Sequence, residues 1–383
     1  MAMAKKKKTS PKRKTTNTAK TGTATKSTAS KSSGAARAKP ASTIRPTTNI
    51  LRVGIDLGTS RSAVSASNGK REWVESYVGW PKDFIAEKVL GEPILFGRAA
   101  LENRLSLDLY RPLEQGVIKE STRNEEAVRE LIAHLLDLAE VRESQRVYAV
   151  VGVPSESLRA NKMAIKRAAQ DFVHSLMVVS EPFSAAYGRQ VLNNAIIIDM
   201  GAGTVDFCIM HGSMPKDDDQ RTIVTAGDYI DQKLFSLMKE KYPESDFNMN
   251  MVRLYKERFS FVGKPRGKVE VDIPVGGRIM VHDITEEMRK ACESVVPAIV
   301  ENTMELIARF DPEYQSIVRE NILLCGGGSQ IHGLAKVIEE ALQEDGPCTV
   351  TVMEDPIFAG ADGALALAQD MPEKYWQDLL VEE

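Results

Sequence analysis

Leucine, valine, isoleucine and aromatic residues are missing from the chain before Ile44, and acidic residues are missing from residues 1–50. Of the 50 lysines and arginines, 13 lie in this stretch, which leaves 37 against 53 acidic residues, a net charge of −16, for residues 51–383. A segment with so little apolar surface cannot offset the entropy that it would lose on folding. We therefore expect residues 1–47 to be a disordered basic arm.

The arm also lacks the apolar core of a secretory signal and the amphipathic period of a membrane-surface helix. Its charge suits nucleic acid, an acidic protein or an anionic membrane. An organelle transit peptide or a solvated tail would have the same composition. The sequence alone does not choose between these alternatives.

Long apolar runs and clustered metal ligands are absent as well. No run approaches the ~18 apolar residues of a membrane span. The cysteines are scattered without a C-x-x-C pair, and the five histidines show no ligand spacing. These absences indicate a reduced, soluble, cytoplasmic protein without a transition-metal site.

Residues 195–210 read A-I-I-I-D-M-G-A-G-T-V-D-F-C-I-M. An apolar run ending at Asp199, a turn with Gly201 and Gly203 and a second apolar run predict a β-hairpin. Glycines let backbone amides approach a phosphate, and a neighbouring carboxylate can hold the waters around a magnesium ion. The alternative is an ordinary glycine-rich hairpin.

A second copy of this unit occurs at residues 51–67, where Asp56 and Gly58 are placed as Asp199 and Gly201 are. The two aspartates stand 143 residues apart. A duplicated strand-Asp-x-Gly-strand unit predicts two similar domains that face each other across a nucleotide. Two unrelated hairpins are the alternative.

Two further strand ends add candidate residues. Glu181 follows the apolar run 176–179 and precedes Pro182, so it should lie where a strand meets a helix. Ligands of open α/β sheets bind at such carboxyl ends of strands, although Glu181 could also be a surface residue at a helix start. The run 322–325 is followed by three glycines and a helix from about His332, which suits a backbone lying against a nucleotide.

These segments, taken in order with residues 112–118, resemble the actin and heat-shock-70 ATPase superfamily over residues 50–370. They resemble its first phosphate loop, first interdomain connection, second phosphate loop and adenosine loop. Within it, the chain is most similar to magnetosome-associated bacterial actins of the MamK type. The phrases that carry this closer resemblance lie at residues 78–83, 178–183, 259–263, 323–333 and 372–376.

The resemblance implies Mg-ATP in a cleft between two α/β domains. Glu181 would orient the attacking water, and Asp199 would hold the magnesium ion and its waters, with Asp56 in the same shell. Lys256 and Glu257 would contact the ribose. The remaining implied contacts are with the phosphates, from Gly58, Thr59, Ser60, Gly201, Ala202, Gly203 and Thr204, and at the adenosine loop, from Gly326, Gly327 and Gly328.

The expected fold is an α/β actin-like ATPase fold, in which each of two duplicated domains carries a small subdomain. Domain I spans residues 48–193, with a subdomain at about 79–110. Domain II spans residues 194–360, with a subdomain at about 227–282. Residues 361–383 return to domain I.

The function that this implies is an ATP-hydrolysing bacterial actin homologue that polymerises head to tail into cytoplasmic filaments. These filaments would lie alongside magnetosome vesicles and position or align the magnetosomes. Its other partners would be magnetosome-associated adaptors, including acidic ones that bind the arm. One alternative is another cytomotive actin, for plasmid or organelle segregation, whose arm binds DNA or an adaptor. A chaperone-type ATPase would need a substrate-binding domain, which the chain up to Glu383 lacks. A sugar or acetate kinase would need an acceptor pocket and a catalytic base that we do not locate.

Overall fold

The computed structural model describes residues 49–118, 121–155 and 158–380. The predicted basic arm, residues 1–47, lies outside these residues. Within the described ranges, no helix is both long enough and apolar enough to cross a membrane.

The first half of the chain consists of short strands connected by loops and helices. Its strands are β1 (Ile50–Leu57), β2 (Arg61–Ala66), β3 (Arg71–Glu75), β4 (Val78–Pro81), β5 (Leu95–Phe96), β6 (Leu107–Tyr110), β7 (Leu113–Glu114), β8 (Val117–Ile118), β9 (Arg146–Val153) and β10 (Ser175–Ser180). Its helices are α1 (Phe84–Leu90), α2 (Gly97–Glu102), α3 (Thr122–Leu138), α4 (Leu158–Ala169) and α5 (Glu181–Gly188).

The main sheet of this half has the strand order β10-β9-β1-β2-β3. Strand β1 pairs antiparallel with β2, as the predicted hairpin requires, and parallel with β9. Alternate apolar residues of β1, such as Val53 and Ile55, are buried in a core that also contains Leu131 and Leu135 of α3. This alternation is the period of two of a β-strand, whose successive side chains point to opposite faces of the sheet.

The second half has strands β11 (Asn193–Met200), β12 (Val205–His211), β13 (Gln220–Ile223), β14 (Glu270–Val275), β15 (Arg278–Asp283), β16 (Ile322–Cys325) and β17 (Val350–Val352). Its helices are α6 (Gly227–Lys241), α7 (Met249–Phe259), α8 (Thr285–Glu293), α9 (Val296–Ile307), α10 (Pro312–Arg319), α11 (Leu334–Leu342), α12 (Ala359–Asp370) and α13 (Glu373–Gln377).

The main sheet of the second half repeats the first. Its strand order is β17-β16-β11-β12-β13, with β11 antiparallel to β12 and parallel to β16. In topology, β11, β12, β13, β16 and β17 correspond to β1, β2, β3, β9 and β10. The predicted α/β fold with a duplicated unit is therefore confirmed.

The two halves share part of their apolar core. One buried cluster contains Val150 of β9, Ile197 of β11, Cys208 of β12 and Trp376 of α13. Helix α12 also packs directly on β1, because a β-carbon at Gly54 would stand 2.2 Å from the Ala361 carbonyl oxygen. The burial of these apolar side chains is the main favourable term that holds the two sheets together.

Smaller sheets flank the main ones. Strands β4, β5 and β6 form a sheet in the order β5-β4-β6, and β14 and β15 form a hairpin. The first lies within the predicted subdomain at about 79–110, whereas the hairpin ends the one predicted at about 227–282. The domain boundaries themselves remain predictions.

Candidate functional site

The first loop, residues 58–60, connects β1 to β2, and its carbonyl groups are held by partners from elsewhere in the chain. Ser76 Oγ donates to the Gly58 carbonyl oxygen at 2.6 Å, and Arg111 Nε donates to that of Thr59 at 2.7 Å. The Ser76 amide donates to the Ser60 carbonyl oxygen at 2.9 Å. In a trans peptide the next residue's N–H points away from the carbonyl. The amides of Thr59, Ser60 and Arg61 therefore point away from these partners.

The second loop, residues 201–204, connects β11 to β12 and is held in the same way. The amides of Gly227 and Asp228, at the start of α6, donate to the carbonyl oxygens of Gly201 at 3.2 Å and Ala202 at 2.7 Å. The amides of Ala202 and Gly203 then point away from α6. The Gly201 amide donates to the Thr204 carbonyl oxygen at 2.9 Å and so closes the turn.

The third loop, residues 326–328, follows β16, and its first residue must be glycine. Gly326 has φ = 75°, and a β-carbon there would stand 2.2 Å from Asp199 Oδ1. A short 3₁₀ turn, Gly327–Gln330, follows, and α11 begins at Leu334. The predicted helix start at about His332 was therefore wrong by about one half-turn, because Gly333, at φ = 84°, still has a left-handed backbone.

All of the predicted site residues line one cavity between the three loops. They are Asp56, Gly58, Thr59, Ser60, Glu181, Asp199, Gly201, Ala202, Gly203, Thr204, Lys256, Glu257, Gly326, Gly327 and Gly328. The structure thus brings together the predicted site residues, while their individual roles remain predictions.

Other lining residues were missed. They are Arg61, Pro154, Met200, Gly227, Ile230, Ser260, Gln330, Ile331, Pro356 and Ile357. Pro154 follows the end of a buried strand, the same signal that identified Glu181. Residues 356–357 carry no comparable local signal.

Three carboxylates line this cavity: Asp56 near the end of β1, Asp199 near the end of β11, and Glu181 directly after β10. Burial, with the nearby Asp199 carboxylate, raises the pKa of Asp56 to about 8. Burial, with Asp206, raises the pKa of Asp199 to about 7, against a lowering effect of the Cys325 thiol hydrogen bond. Burial raises the pKa of Glu181 well above its usual range, with further contributions from Asp56, Asp206 and Asp199. A cation among these groups would favour their charged forms.

Glu181 is the first residue of α5, directly after β10, as predicted. The residue is only 8% exposed, so the alternative of a surface residue at a helix start does not hold. Among the described residues, its Oε1 atom has no hydrogen-bond partner. A buried, unpaired carboxyl oxygen is costly unless a ligand or water uses it.

Asp206 is a carboxylate of this region that the sequence analysis passed over. It lies opposite Asp199 in the β11–β12 register and is 1% exposed. Its Oδ1 atom accepts hydrogen bonds from the Ser155 amide at 2.7 Å and from Thr222 Oγ1 at 2.5 Å. Asp206 thus connects β12 to β13 and to the residue that follows Pro154 at the end of β9.

Lys256 and Glu257 line the cavity and also have protein partners. Lys256 Nζ lies 2.9 Å from Asp231 Oδ1 and donates to the Gly227 carbonyl oxygen at 2.8 Å. Burial raises the pKa of Asp231 to about 6, although Lys256 opposes the shift. Glu257 Oε2 lies 3.7 Å from Arg61 Nη2. Lys256 therefore has a structural role whether or not it touches a ligand.

The carboxylates of the cavity fit a magnesium ion that is held partly by waters and by substrate phosphates. Across residues 49–118, 121–155 and 158–380, no group of three or more His, Cys, Asp or Glu side chains is arranged to hold a metal ion. Magnesium usually keeps several waters and binds through one or two carboxylates together with substrate phosphates. Asp56, which is partly buried, and Asp199, which is 8% exposed, have no basic partner among the described residues and match that manner of binding.

Comparisons with known proteins agree with this geometry. Residues 51–375 match the family model described as MreB/Mbl protein. The chain is 43% identical over 332 residues to the actin-like protein MamK of Paramagnetospirillum magneticum (strain ATCC 700264 / AMB-1), covering 86% of this chain and 96% of that protein.

Solved structures of MamK superpose on the chain. A MamK double helical filament gives a TM-score of 0.83 at 43% identity, covering 85% of this chain and 100% of that one. A non-polymerising MamK mutant bound to AMPPNP gives a TM-score of 0.66 at 42% identity, covering 84% of this chain and 100% of that one.

Proposed function

This chain belongs to the MreB/Mbl family of actin-like proteins, and we propose that it binds and hydrolyses ATP in the cleft and polymerises head to tail into filaments. The observation that carries the proposal is one cavity lined by both Asp-x-Gly loops, by the glycine loop after β16 and by the carboxylates of Asp56, Glu181 and Asp199. Two solved structures of MamK support it, one of a non-polymerising mutant bound to AMPPNP and one of a double helical filament.

The proposed binding mode follows from the loops. In the first loop, the carbonyl groups of residues 58 and 59 accept hydrogen bonds from the protein, so the amides of Thr59 and Ser60 point the other way and would donate to phosphate oxygens. The amides of Ala202 and Gly203 in the second loop would do the same. Gly201 would contribute through its lack of a side chain, because its amide is already used within the turn. The residues of the third loop would lie on the adenosine side, with Lys256 and Glu257 near the ribose.

Hydrolysis would depend on positioning and on charge, with little covalent chemistry for the protein to perform. Bound magnesium would supply neutralisation of the phosphate charge. Asp56 and Asp199 would hold its waters. Positive charge in the cavity would lower the raised pKa of Glu181, so that its carboxylate could accept a hydrogen bond from the attacking water and orient it.

The proposed cellular role is to position magnetosomes. Cytoplasmic filaments of the protein would run alongside the magnetosome vesicles and hold them in place. This role rests on the resemblance to MamK-type actins. The basic arm, with 13 positive and no negative residues in residues 1–50, would recruit an acidic adaptor. Deletion of residues 1–47 tests this part: filament placement in cells should change while assembly in vitro does not. Unchanged placement would contradict it, and salt-sensitive DNA binding lost with the arm would favour a segregation role.

A larger side chain in the third loop, which lines the cavity, tests ATP binding. Among the described residues, no atom outside residue 327 and its two chain neighbours lies within 4 Å of where a β-carbon at Gly327 would stand, and the same holds at Gly267, outside the cavity. Gly327→Val should therefore leave the melting temperature of the nucleotide-free protein unchanged and weaken Mg-ATP binding by about tenfold or more, about 1.4 kcal/mol. Gly267→Val is the matched control and should bind as the wild type does.

Two results would contradict the proposal. A wild-type protein that does not bind Mg-ATP in a calorimetric titration would refute nucleotide binding. Wild-type affinity in Gly327→Val would place the nucleotide elsewhere.

A further inference from the structure

Arg111 lies in the short connection between β6 and β7, between the first and second loops. All three nitrogens of its guanidinium have acceptors. Nε donates to the Thr59 carbonyl oxygen in the first loop at 2.7 Å. Nη1 and Nη2 donate to the two carboxylate oxygens of Asp228 at 2.8 and 3.1 Å.

Asp228 in turn holds the second loop. Its backbone amide, at the start of α6, donates to the Ala202 carbonyl oxygen at 2.7 Å. A continuous set of hydrogen bonds therefore runs from Thr59 through Arg111 and Asp228 to Ala202. It joins two loops that are 143 residues apart in sequence, counted between their preceding aspartates.

We propose that Arg111 is a positioning residue which, through Asp228, fixes the separation and orientation of the two phosphate-binding loops. The inference rests on the proposed function for its catalytic consequence, but the coupling between the loops is a property of the nucleotide-free protein. Arg111 itself does not line the cavity and would touch neither phosphate nor water.

The chemistry of the contact explains why the residue is arginine. A planar guanidinium can hold a carbonyl and both oxygens of a carboxylate at once, whereas a lysine ammonium offers a single point of charge. The side chains of Arg111 and Asp228 are 23% and 27% exposed, so solvent screens the pair less than it would a fully exposed one. Other contacts cross the same gap, including Arg253 Nη1 to Tyr77 Oη at 2.5 Å.

Hydrogen exchange in nucleotide-free protein tests the coupling. The informative amides are those of Gly227 and Asp228, because they donate to the carbonyls of the second loop. In Arg111→Met, which keeps the aliphatic stem, these amides should exchange about tenfold faster, as expected for the loss of hydrogen bonds to a charged group. Asp228→Ala should in the same way accelerate exchange of the segment 59–62, which covers the end of the first loop and the start of β2.

Arg129→Met is the matched control. Arg129 also uses Nε, Nη1 and Nη2, on Asp171 and Glu130, but joins no loop of the cavity. Its substitution should leave exchange at both loops unchanged. The two loops are not coupled through Arg111 if Arg111→Met accelerates exchange only at the first loop and Asp228→Ala only at the second. The same conclusion holds if both variants match the control.

Kinetics supply a second readout. If Arg111 only stabilised the fold, its substitution would leave kcat per folded protein unchanged. In Arg111→Met, kcat for ATP hydrolysis per folded protein should fall by about 10- to 100-fold, with KM changed far less, because misplaced loops misalign bound phosphates. A wild-type kcat would overturn the positioning role. ATP binding by the wild type, measured in parallel, decides the proposed function separately.

Discussion

Gly203 in the second loop faces Thr59 in the first so closely that a β-carbon at position 203 would stand 2.5 Å from Thr59 Oγ1. Atoms that are not bonded to each other do not pack at such a distance, so the two loops approach this closely because residue 203 has no side chain. The requirement is one of space, because the backbone of Gly203 is not left-handed.

Gly203→Ala should therefore separate the loops. We expect a loss of about 1–3 kcal/mol in the free energy of unfolding, typical of overpacking, and a loss of Mg-ATP affinity of about tenfold or more. Thermal denaturation and calorimetric titration measure the two effects. Gly267→Ala, at an open position, should change neither, and equal behaviour of the two variants would contradict the direct contact.

The buried carboxylates predict an unusual dependence of stability on pH. The pKa values of Asp56 and Asp199 are raised to about 8 and about 7, so the folded protein keeps protons that the unfolded chain has already released. The free energy of unfolding should then fall as pH rises from about 4 to about 8. Asp199→Asn should stabilise the nucleotide-free protein more at about pH 9 than at about pH 5, by at most about 3 kcal/mol.

Exposed Asp345 provides the control for this measurement, since Asp345→Asn should have no such pH-dependent effect. Stabilisation of the wild type by Mg-ADP should also grow with pH over the same range, because a cation favours the ionised carboxylates. Stabilisation by Asp199→Asn that is equal at both pH values would mean that the carboxyl is not held protonated.

Glu181→Gln tests the predicted role of Glu181 in orienting water. The change keeps the size of the side chain and removes its ability to carry charge. The value of kcat for phosphate release should fall about 100-fold or more while KM stays near the wild-type value, and filaments should persist longer. Glu344→Gln, at an exposed position, is the control, and a wild-type kcat in Glu181→Gln would remove Glu181 from the mechanism.

Lys256 can be tested for its two roles separately. Lys256→Met leaves the buried carboxyl of Asp231 without its partner, which should destabilise the protein by about 3–5 kcal/mol. The loss should grow as pH rises above about 4, where the unfolded chain ionises this aspartate and the folded protein resists ionisation. The double variant Lys256→Met/Asp231→Asn should regain most of the stability.

ATP affinity in that double variant then decides the ligand contact. Affinity that stays low after stability is regained supports a contact between Lys256 and the nucleotide. Affinity that returns to the wild-type value would leave Lys256 with its structural role alone.

The predictions that succeeded came from patterns within a single short segment. Asp56 and Asp199 each end an apolar run before a glycine turn, and Glu181 is fixed between a strand and Pro182. Such signals depend on neighbouring residues only, so they can be read without knowledge of the fold. The common cavity followed once both hairpins were recognised as copies of one unit.

The residues that were missed act over long separations. Arg111 is 52 residues from Thr59 and 117 from Asp228, and no local period links them. Asp206 lies within an apolar strand that is buried on both sides, so its pairing opposite Asp199 depends on the register of the sheet. Tertiary contacts, which the sequence does not display locally, decide both.

The central claim, a polymerising actin-like ATPase, is tested most directly by sedimentation and negative-stain electron microscopy of the purified protein with Mg-ATP, with Mg-ADP and without nucleotide. We predict that protein pellets as filaments with Mg-ATP and stays in the supernatant without nucleotide. A protein that remains monomeric under all three conditions while it hydrolyses ATP would contradict the account and favour a non-polymerising ATPase.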